Sequence, residues 1–135
     1  MSTSIEAWFQ LRRLEQQIQT VLARELQAMG GCPLMVNEYY LLYFLNLAKH
    51  GKLKQIDLED KLGLSLSATS RMIAKLEEKN CGVIARQVCP EDKRAVYIVL
   101  TPKGRDLVES VNPLIDKALQ QFPLLQSDDL QQPAV

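Results

Sequence analysis

The sequence predicts a mainly α-helical domain with one small β-hairpin, which places it in the α+β class. Apolar residues recur at steps of three and four over most of the chain, as they do on one face of an amphipathic helix. The exception lies between residues 83 and 100, where two β-rich runs flank a short charged connector. A length of 135 residues suits a single domain, here taken as 1–135.

Two helices are predicted in the first third of the chain. Residues 4–29 form the first, and a Gly-Gly pair followed by proline ends it. Asn37 is a credible N-cap for the second, which extends from 38 to about 50. Because the second helix is apolar nearly all round, we expect it at the centre of the fold.

Two shorter helices follow, separated by a tight turn. The first covers about residues 55–62 and ends at Gly63, and Ser65 or Ser67 caps the second, which runs to about residue 79. The inward side chains expected of the first are Ile56, Leu58 and Leu62. Those expected of the second are Thr69, Met72, Ile73 and Leu76. The outer face of the second is small, polar and basic, and consists of Ser67, Ser70, Arg71, Ala74 and Lys75.

The runs 83–88 and 95–100 are predicted to pair as a hairpin, since a turn-forming, charged connector joins them. Thr101 then caps a final long helix that runs toward residue 122, with proline at its first helical position. Pro113 is expected to bend or interrupt this helix. The polar tail beyond it is expected to fray.

The net charge of zero conceals an uneven distribution. Residues 51–105 carry eleven basic and seven acidic side chains, whereas residues 106–135 carry one basic and five acidic. Lys and Arg that neutralise phosphates supply most non-specific affinity for nucleic acid, so the middle of the chain is where a polyanion would bind. Charge alone is weak support, because many solvated protein surfaces reach the net charge of +4 that these residues carry.

Several classes of protein are disfavoured by what the sequence lacks. No apolar run approaches the length of a bilayer span, and the N-terminus does not read as a secretory signal, so we expect a cytoplasmic protein without membrane contact. Three cysteines without a CxxC pair make a disulfide framework or zinc site improbable. With one histidine and no Gly-rich phosphate loop, we expect no metal, no cofactor and no enzymatic activity.

The order of a short helix, a turn, a second helix with a small polar face and a hairpin is that of a winged helix-turn-helix. A helix enters the major groove only if its outer face avoids bulky apolar groups and offers short donors and a few long cations. A hairpin tip that bears Lys93 and Arg94 is suited to the minor groove, where negative potential favours arginine. The sequence therefore predicts contact with double-stranded DNA.

Residues 53–104 resemble the MarR/SlyA-type winged helix-turn-helix regulators. The resemblance rests on LGLS at 62–65, SRMIAKLE at 70–77, DKR at 92–94 and LTPKG at 100–104. It implies a sequence-specific repressor that binds a pseudo-palindromic operator as a homodimer, joined through the helices at 4–29 and 101–122. The residues it places in the major groove are Ser67, Ser70, Arg71 and Lys75. Those it places at the wing are Asp92, Lys93 and Arg94.

The sequence departs from the family pattern in three places. Asn80 and Cys81 form a two-residue extension before the wing, and Glu59 stands where a small residue is usual. Residues 125–130 look like the start of the family's final helix, after which the sequence stops. We therefore expect the N-terminal helix to contribute more than usual to a dimer.

Regulation and the alternative function stay open at this point. Many family members release DNA on binding small phenolic or lipophilic ligands, or on cysteine oxidation. The candidate lining of an effector pocket is Trp8, Tyr39 and Tyr43, although aromatic residues on a central helix are more often core. Cys32 and Cys89 are candidate redox sensors, but no neighbour at a fixed local spacing activates them, so inert thiols are favoured. A winged-helix module that docks proteins without reading DNA is the alternative.

Overall fold

The computed structural model describes residues 3–88, 90–91 and 95–132. The predicted class is confirmed, because the described residues are mainly helical and include a small antiparallel sheet. In chain order the elements are α1 (Ser4–Gln27), α2 (Val36–Leu47), β1 (Lys52–Lys54), α3 (Gln55–Leu62), α4 (Leu66–Glu78), β2 (Ile84–Val88), β3 (Val96–Leu100), α5 (Pro102–Leu119) and α6 (Asp128–Gln131). Short 3-10 turns cover Lys49–Gly51 and Pro123–Gln126.

Local capping residues begin or end three helices where the sequence predicts. Gly63 adopts the left-handed conformation after α3, with φ 67°. Ser65, the first of the two candidate caps, accepts a hydrogen bond from the Ala68 N–H at 3.2 Å. Thr101 caps α5 in the same way, accepting from the Gly104 N–H at 3.0 Å. The turn of the helix-turn-helix and the exit from the wing are therefore set by neighbours in sequence.

Helix α2 starts earlier than predicted and is not capped by Asn37. It begins at Val36, and the Glu38 carboxylate accepts a hydrogen bond from the Met35 N–H at 2.7 Å. The prediction was wrong because a side chain inside the first turn reaches back to the backbone before it. The helix also ends at Leu47, followed by the 3-10 turn.

Two further expectations were wrong. Helix α5 continues through Pro113 to Leu119, so the expected interruption at this proline does not occur. Ile56, predicted to face inward, is 68% exposed, while Leu58 of the same helix is fully buried. A short helix buries a narrow stripe, and Leu58 occupies it.

A third strand joins the predicted hairpin. Strand β1 pairs with β3, so the sheet order is β1-β3-β2 with every pairing antiparallel. The register places Leu53 opposite Ile98, and Arg86 lies opposite Ile98 from the other side. With three residues β1 is too short to show a β-period in sequence, and its partner is remote along the chain.

Helix α2 lies at the centre of the core, as its all-round apolar character predicts. Its residues Leu41, Leu42 and Leu45 are fully buried. They belong to one cluster with buried residues of α1, α4, β3 and α5. This shared core joins the winged helix-turn-helix to the long helices before and after it. Within the described ranges no helix is long and apolar enough to cross a membrane.

Candidate nucleic-acid interface

Helix α4 presents the predicted polar and basic face to solvent. Ser67, Arg71 and Lys75 are exposed. The opposite stripe is buried, with Thr69 and Ile73 at 0% exposure. The face opposite this stripe therefore offers a ligand the Ser67 hydroxyl and two long cations.

Ser70 lies at the edge of this face and is only half-buried, not fully open. The Gln55 side-chain amide, at the start of α3, donates a hydrogen bond to the Ser70 Oγ at 2.6 Å. This contact joins the two helices of the helix-turn-helix and leaves the Ser70 hydroxyl proton free to donate elsewhere. Gln55 was missed by sequence reasoning, because nothing local to it indicates a partner fifteen residues away.

The wing is tied to the recognition helix by an ion pair. Arg86 on β2 donates from Nε and Nη2 to the Glu77 carboxylate on α4, at distances from 2.9 to 3.1 Å. These hydrogen bonds raise the pKa of the Arg86 guanidinium above its ordinary value. The side chains remain 45% and 36% exposed, so the pair orients the hairpin more than it stabilises the fold.

The predicted wing residues Asp92, Lys93 and Arg94 lie outside the described residues, and so does Cys89. The strand pair next to them in sequence is Val88 with Val96, and the Val88 side chain is 60% exposed. The structure therefore positions the hairpin on which the wing residues are carried.

Cys32 and Cys81 form a disulfide, with their Cα atoms 5.9 Å apart. The interpretation of Cys32 as an inert thiol is therefore wrong. Cys32 lies in the connection between α1 and α2, and Cys81 lies between α4 and β2. The Asn80–Cys81 extension makes the pairing possible: Asn80 adopts φ 55°, which turns the chain back after α4.

A partly buried ion pair lies close in sequence to the disulfide. The Lys79 ammonium group contacts the Glu38 carboxylate and also donates to the Pro33 carbonyl oxygen at 2.9 Å. Glu38 is 3% exposed, so its charge depends on Lys79 and on the Met35 N–H for compensation. We call these contacts, together with the disulfide, the clamp. It joins the α1–α2 connection to the end of the recognition helix.

A cavity of about 830 Å³ lies among α1, α2, α3 and α5. Of the three candidate effector residues, Tyr39 and Tyr43 line it, whereas Trp8 does not and is 54% exposed near the start of α1. Lys61, Asn112 and Asp116 add polar groups to a lining that is otherwise mainly apolar and aromatic. Such a lining suits a small, largely apolar ligand with one or two polar substituents.

Tyr39 connects the cavity wall to the core. Its hydroxyl donates to the Asn112 Oδ1 at 2.6 Å. Burial, reinforced by Tyr43, Tyr40 and Asp116, raises the pKa of Tyr39 to about 12. The phenol is thus neutral at physiological pH and joins α2 to α5.

A smaller cavity of about 440 Å³ lies beside α4, on the side that faces α1 and the start of α2. Arg71 and Lys75 of the recognition helix line it, together with Met35 and Glu38. The side of α4 that faces the α1–α2 connection is therefore accessible, and the clamp contacts the same connection.

The comparisons with known proteins agree with this architecture. The sequence profile of the MarR family matches residues 38–96. The HTH-type transcriptional repressor MdtR of Bacillus subtilis is 31% identical over 101 residues, which are 75% of this chain and 61% of MdtR. AbsC, a MarR family transcriptional regulator from Streptomyces coelicolor, is similar in structure with TM-score 0.81 and 25% identity, over 96% of this chain and 86% of AbsC. Sco3205, a MarR family transcriptional regulator from the same organism in complex with DNA, is similar with TM-score 0.78 and 25% identity, over 90% and 74% of the two chains.

Proposed function

We infer that this chain, which belongs to the MarR family, is a DNA-binding transcriptional regulator that acts as a repressor. The observation that carries the inference is the exposed face of α4. It offers Ser67, Arg71 and Lys75 to solvent on a helix that the buried stripe and the wing hold in place. Short donors and long cations on a protruding helix match the donor and acceptor pattern of the major groove.

The charge of the winged helix-turn-helix region supports the same function. Eleven of the chain's sixteen basic side chains lie between residues 51 and 105, where the helix-turn-helix and the wing are. Lys93 and Arg94 are proposed to enter the minor groove from the wing, with Asp92 orienting a neighbouring cation. A regulator of this kind acts on the chromosome in the cytoplasm, binds no membrane and has no enzymatic activity.

We further propose that the chain binds DNA as a homodimer. The first half of α1 carries four large apolar side chains that are about half exposed, namely Ile5, Trp8, Phe9 and Leu11. The C-terminal part adds Leu114, Leu124 and Leu130, which are 42–56% exposed. Apolar area of this extent on α1, α5 and the segment after α5 is typical of a surface that another protein covers. A second copy would give two recognition helices for the two halves of a pseudo-palindrome.

A selection experiment tests the proposal. Purified protein is incubated with duplexes randomised over roughly three helical turns, and bound molecules are amplified and sequenced. We expect enrichment of an inverted repeat whose half-sites lie about one helical turn apart, with affinity that falls steeply as salt increases. No enrichment and no salt dependence would contradict DNA binding and favour the docking-module alternative.

The cavity lined by Tyr39 and Tyr43 is proposed to bind a small aromatic or lipophilic effector. Binding of this effector is expected to make the protein release DNA. Residues of α1, α2, α3 and α5 line this cavity, so a bound ligand would change the position of the helix-turn-helix relative to the long helices. Titration of the DNA complex with a panel of simple phenols and benzoates tests this. Release that the substitution Tyr43→Ala abolishes supports the site, whereas release that persists in this variant places the effector elsewhere.

A further inference from the structure

One face of the three-stranded sheet carries two lysines over a single aromatic ring. Lys52 and Lys54 lie two residues apart on β1, so their side chains project from the same face. The register places Lys54 opposite Tyr97 of β3, which therefore shares this face. The Lys52 and Lys54 Nζ atoms lie 4.8 and 5.9 Å from the centroid of the Tyr97 ring. We call these three side chains the lysine patch.

The lysine patch is turned away from the core and its charge is not neutralised. Ile98, the next residue of β3, points to the opposite face and is fully buried, whereas the three patch side chains are partly exposed. The ring attracts both ammonium groups, so it keeps two like charges close to each other. Neither lysine forms an ion pair with a described carboxylate. This combination favours an anionic partner.

The lysine patch lies at the end of the sheet that carries the wing residues. Strand β3 begins at Val96, next to the wing, and β1 runs antiparallel to it, so β1 ends there with Lys54. The following residue, Gln55, begins α3 and donates its hydrogen bond of 2.6 Å to Ser70 at the edge of the recognition face. The patch therefore adjoins the recognition face on one side and the wing on the other.

We propose that the lysine patch binds phosphates of the DNA backbone, on the strand that separates the major groove contacted by α4 from the minor groove contacted by the wing. The inference rests on the proposed function, because it requires α4 and the wing to engage one duplex. Adjacent grooves are separated by a sugar–phosphate strand, so a surface that adjoins both protein elements is placed to meet it. Lysine contacts phosphate oxygens whatever the base, so this contact positions the protein without reading sequence.

Tyr97 is a positioning residue in this contact. A free lysine side chain loses rotamer freedom when its ammonium group is fixed against a phosphate. The ring already restrains both ammonium groups, so less of that freedom is lost on binding. Removal of the ring is therefore expected to lower the affinity for DNA while leaving both charges in place.

Salt titration of binding tests the two lysines. Wild-type protein, Lys52→Gln, Lys54→Gln and the double variant are titrated with the selected duplex and with a scrambled duplex at a series of salt concentrations. Each substitution is expected to reduce the slope of log affinity against log salt by about 0.9, equally on both duplexes. Lys117→Gln makes the same change in the last turn of α5 and should keep the wild-type slope. Tyr97→Leu should keep the slope and bind more weakly.

Uncharged phosphates locate the contact on the DNA and leave the wild-type protein unaltered. Single methylphosphonate linkages are placed in turn along each strand of the selected duplex. We expect one or two positions between the major-groove half-site and the flanking minor groove to weaken wild-type binding by about threefold. The same positions should have no effect on the double lysine variant, whose fold is checked by urea unfolding.

Two results would overturn the inference: a double variant with the wild-type salt slope, or a wild-type protein for which no phosphate in this interval matters. Unchanged DNA binding by the double variant would leave an acidic protein surface as the partner of the patch. Wild-type affinity in Tyr97→Leu would contradict its positioning role. A wild-type protein that binds no duplex would contradict the proposed function as well, whereas steep salt dependence shared by wild type and double variant would contradict the lysine patch alone.

Discussion

Gly104 lies in the first turn of α5, where that helix crosses the backbone leading into β2. A Cβ atom added there would lie 2.1 Å from the Val83 carbonyl oxygen and 2.7 Å from the Leu100 Cδ1. Because the nearest obstacle is backbone, the helix or the strand must move. We expect Gly104→Ala to lower the free energy of unfolding by about 2–3 kcal/mol, measured by urea denaturation. Gly30→Ala, with no atom within 4 Å of its added Cβ, is the matched control and should change stability by less than about 0.5 kcal/mol.

The raised pKa of Tyr39 predicts that the protein loses stability in alkaline solution. The unfolded chain releases the phenol proton near pH 10.0, whereas the folded chain keeps it to about pH 12. The folded state therefore binds more protons between these values, so its full stability is present below pH 10.0 and is lost as pH rises toward about 12. The loss amounts to about 3 kcal/mol, because one pKa unit corresponds to about 1.4 kcal/mol.

Urea unfolding of wild-type protein and Tyr39→Phe over this pH range measures that contribution. The variant lacks the ionisable group, so its stability should fall less steeply than that of the wild type above pH 10.0. It should also be less stable at neutral pH by about 1 kcal/mol, because the hydrogen bond to Asn112 is lost. Parallel curves for the two proteins would show that Tyr39 does not titrate differently on folding.

At the scale of elements, α4 and the wing act as one unit. The Arg86–Glu77 ion pair joins the strand to the helix, and the Gln55–Ser70 hydrogen bond joins α3 to the helix. The recognition face is thus held from both sides, while Arg71 itself has no ion-pair partner among the described residues. The Arg71 guanidinium, on a helix held in place by these contacts, is therefore available to bind DNA.

We expect Arg71→Ala to cost roughly 1–3 kcal/mol of binding free energy on the selected duplex if the guanidinium contacts a base edge. The loss on a scrambled duplex should be smaller, and specificity should relax at one base pair. Fluorescence anisotropy at fixed salt measures both affinities. Lys117→Ala removes the same charge from the last turn of α5 and should leave binding unchanged. Equal losses on both duplexes would identify Arg71 as a phosphate contact only.

At the scale of the whole molecule, the exposed half of α1 is the surface proposed for assembly. Trp8 is 54% and Phe9 55% exposed, on a helix whose buried residues are confined to its second half. We expect Trp8→Glu to convert a dimer into a monomer, because a charge would have to be buried against a second copy. Light scattering measures the mass in solution, and the affinity for the inverted repeat should fall in parallel.

Leu47→Glu is the control for this prediction. Leu47 is 67% exposed at the end of α2, outside the surface proposed for the dimer, and the substitution introduces the same charge. It should remain dimeric. A dimeric Trp8→Glu variant, or a wild-type protein that stays monomeric on the selected duplex, would contradict the proposed assembly.

Features that depend on nearby residues were predictable from the sequence. The caps at Ser65 and Thr101 and the left-handed Gly63 need only partners within a few positions, and the burial of α2 follows from its own apolar residues. The exposure of Ser67, Arg71 and Lys75 follows from the period of the helix that carries them. The class of the fold and the face of α4 are therefore properties of the sequence alone.

Contacts between remote segments were decided only by the tertiary structure. Strand β1, the Arg86–Glu77 pair and the Lys79–Glu38 pair each join residues that no local pattern relates. The disulfide shows this most clearly, because Cys32 and Cys81 lie 49 positions apart and three cysteines without a CxxC pair had made a disulfide framework improbable. Periodicity and capping report interactions within a turn or two, whereas the distance between remote residues is set by how the whole core packs.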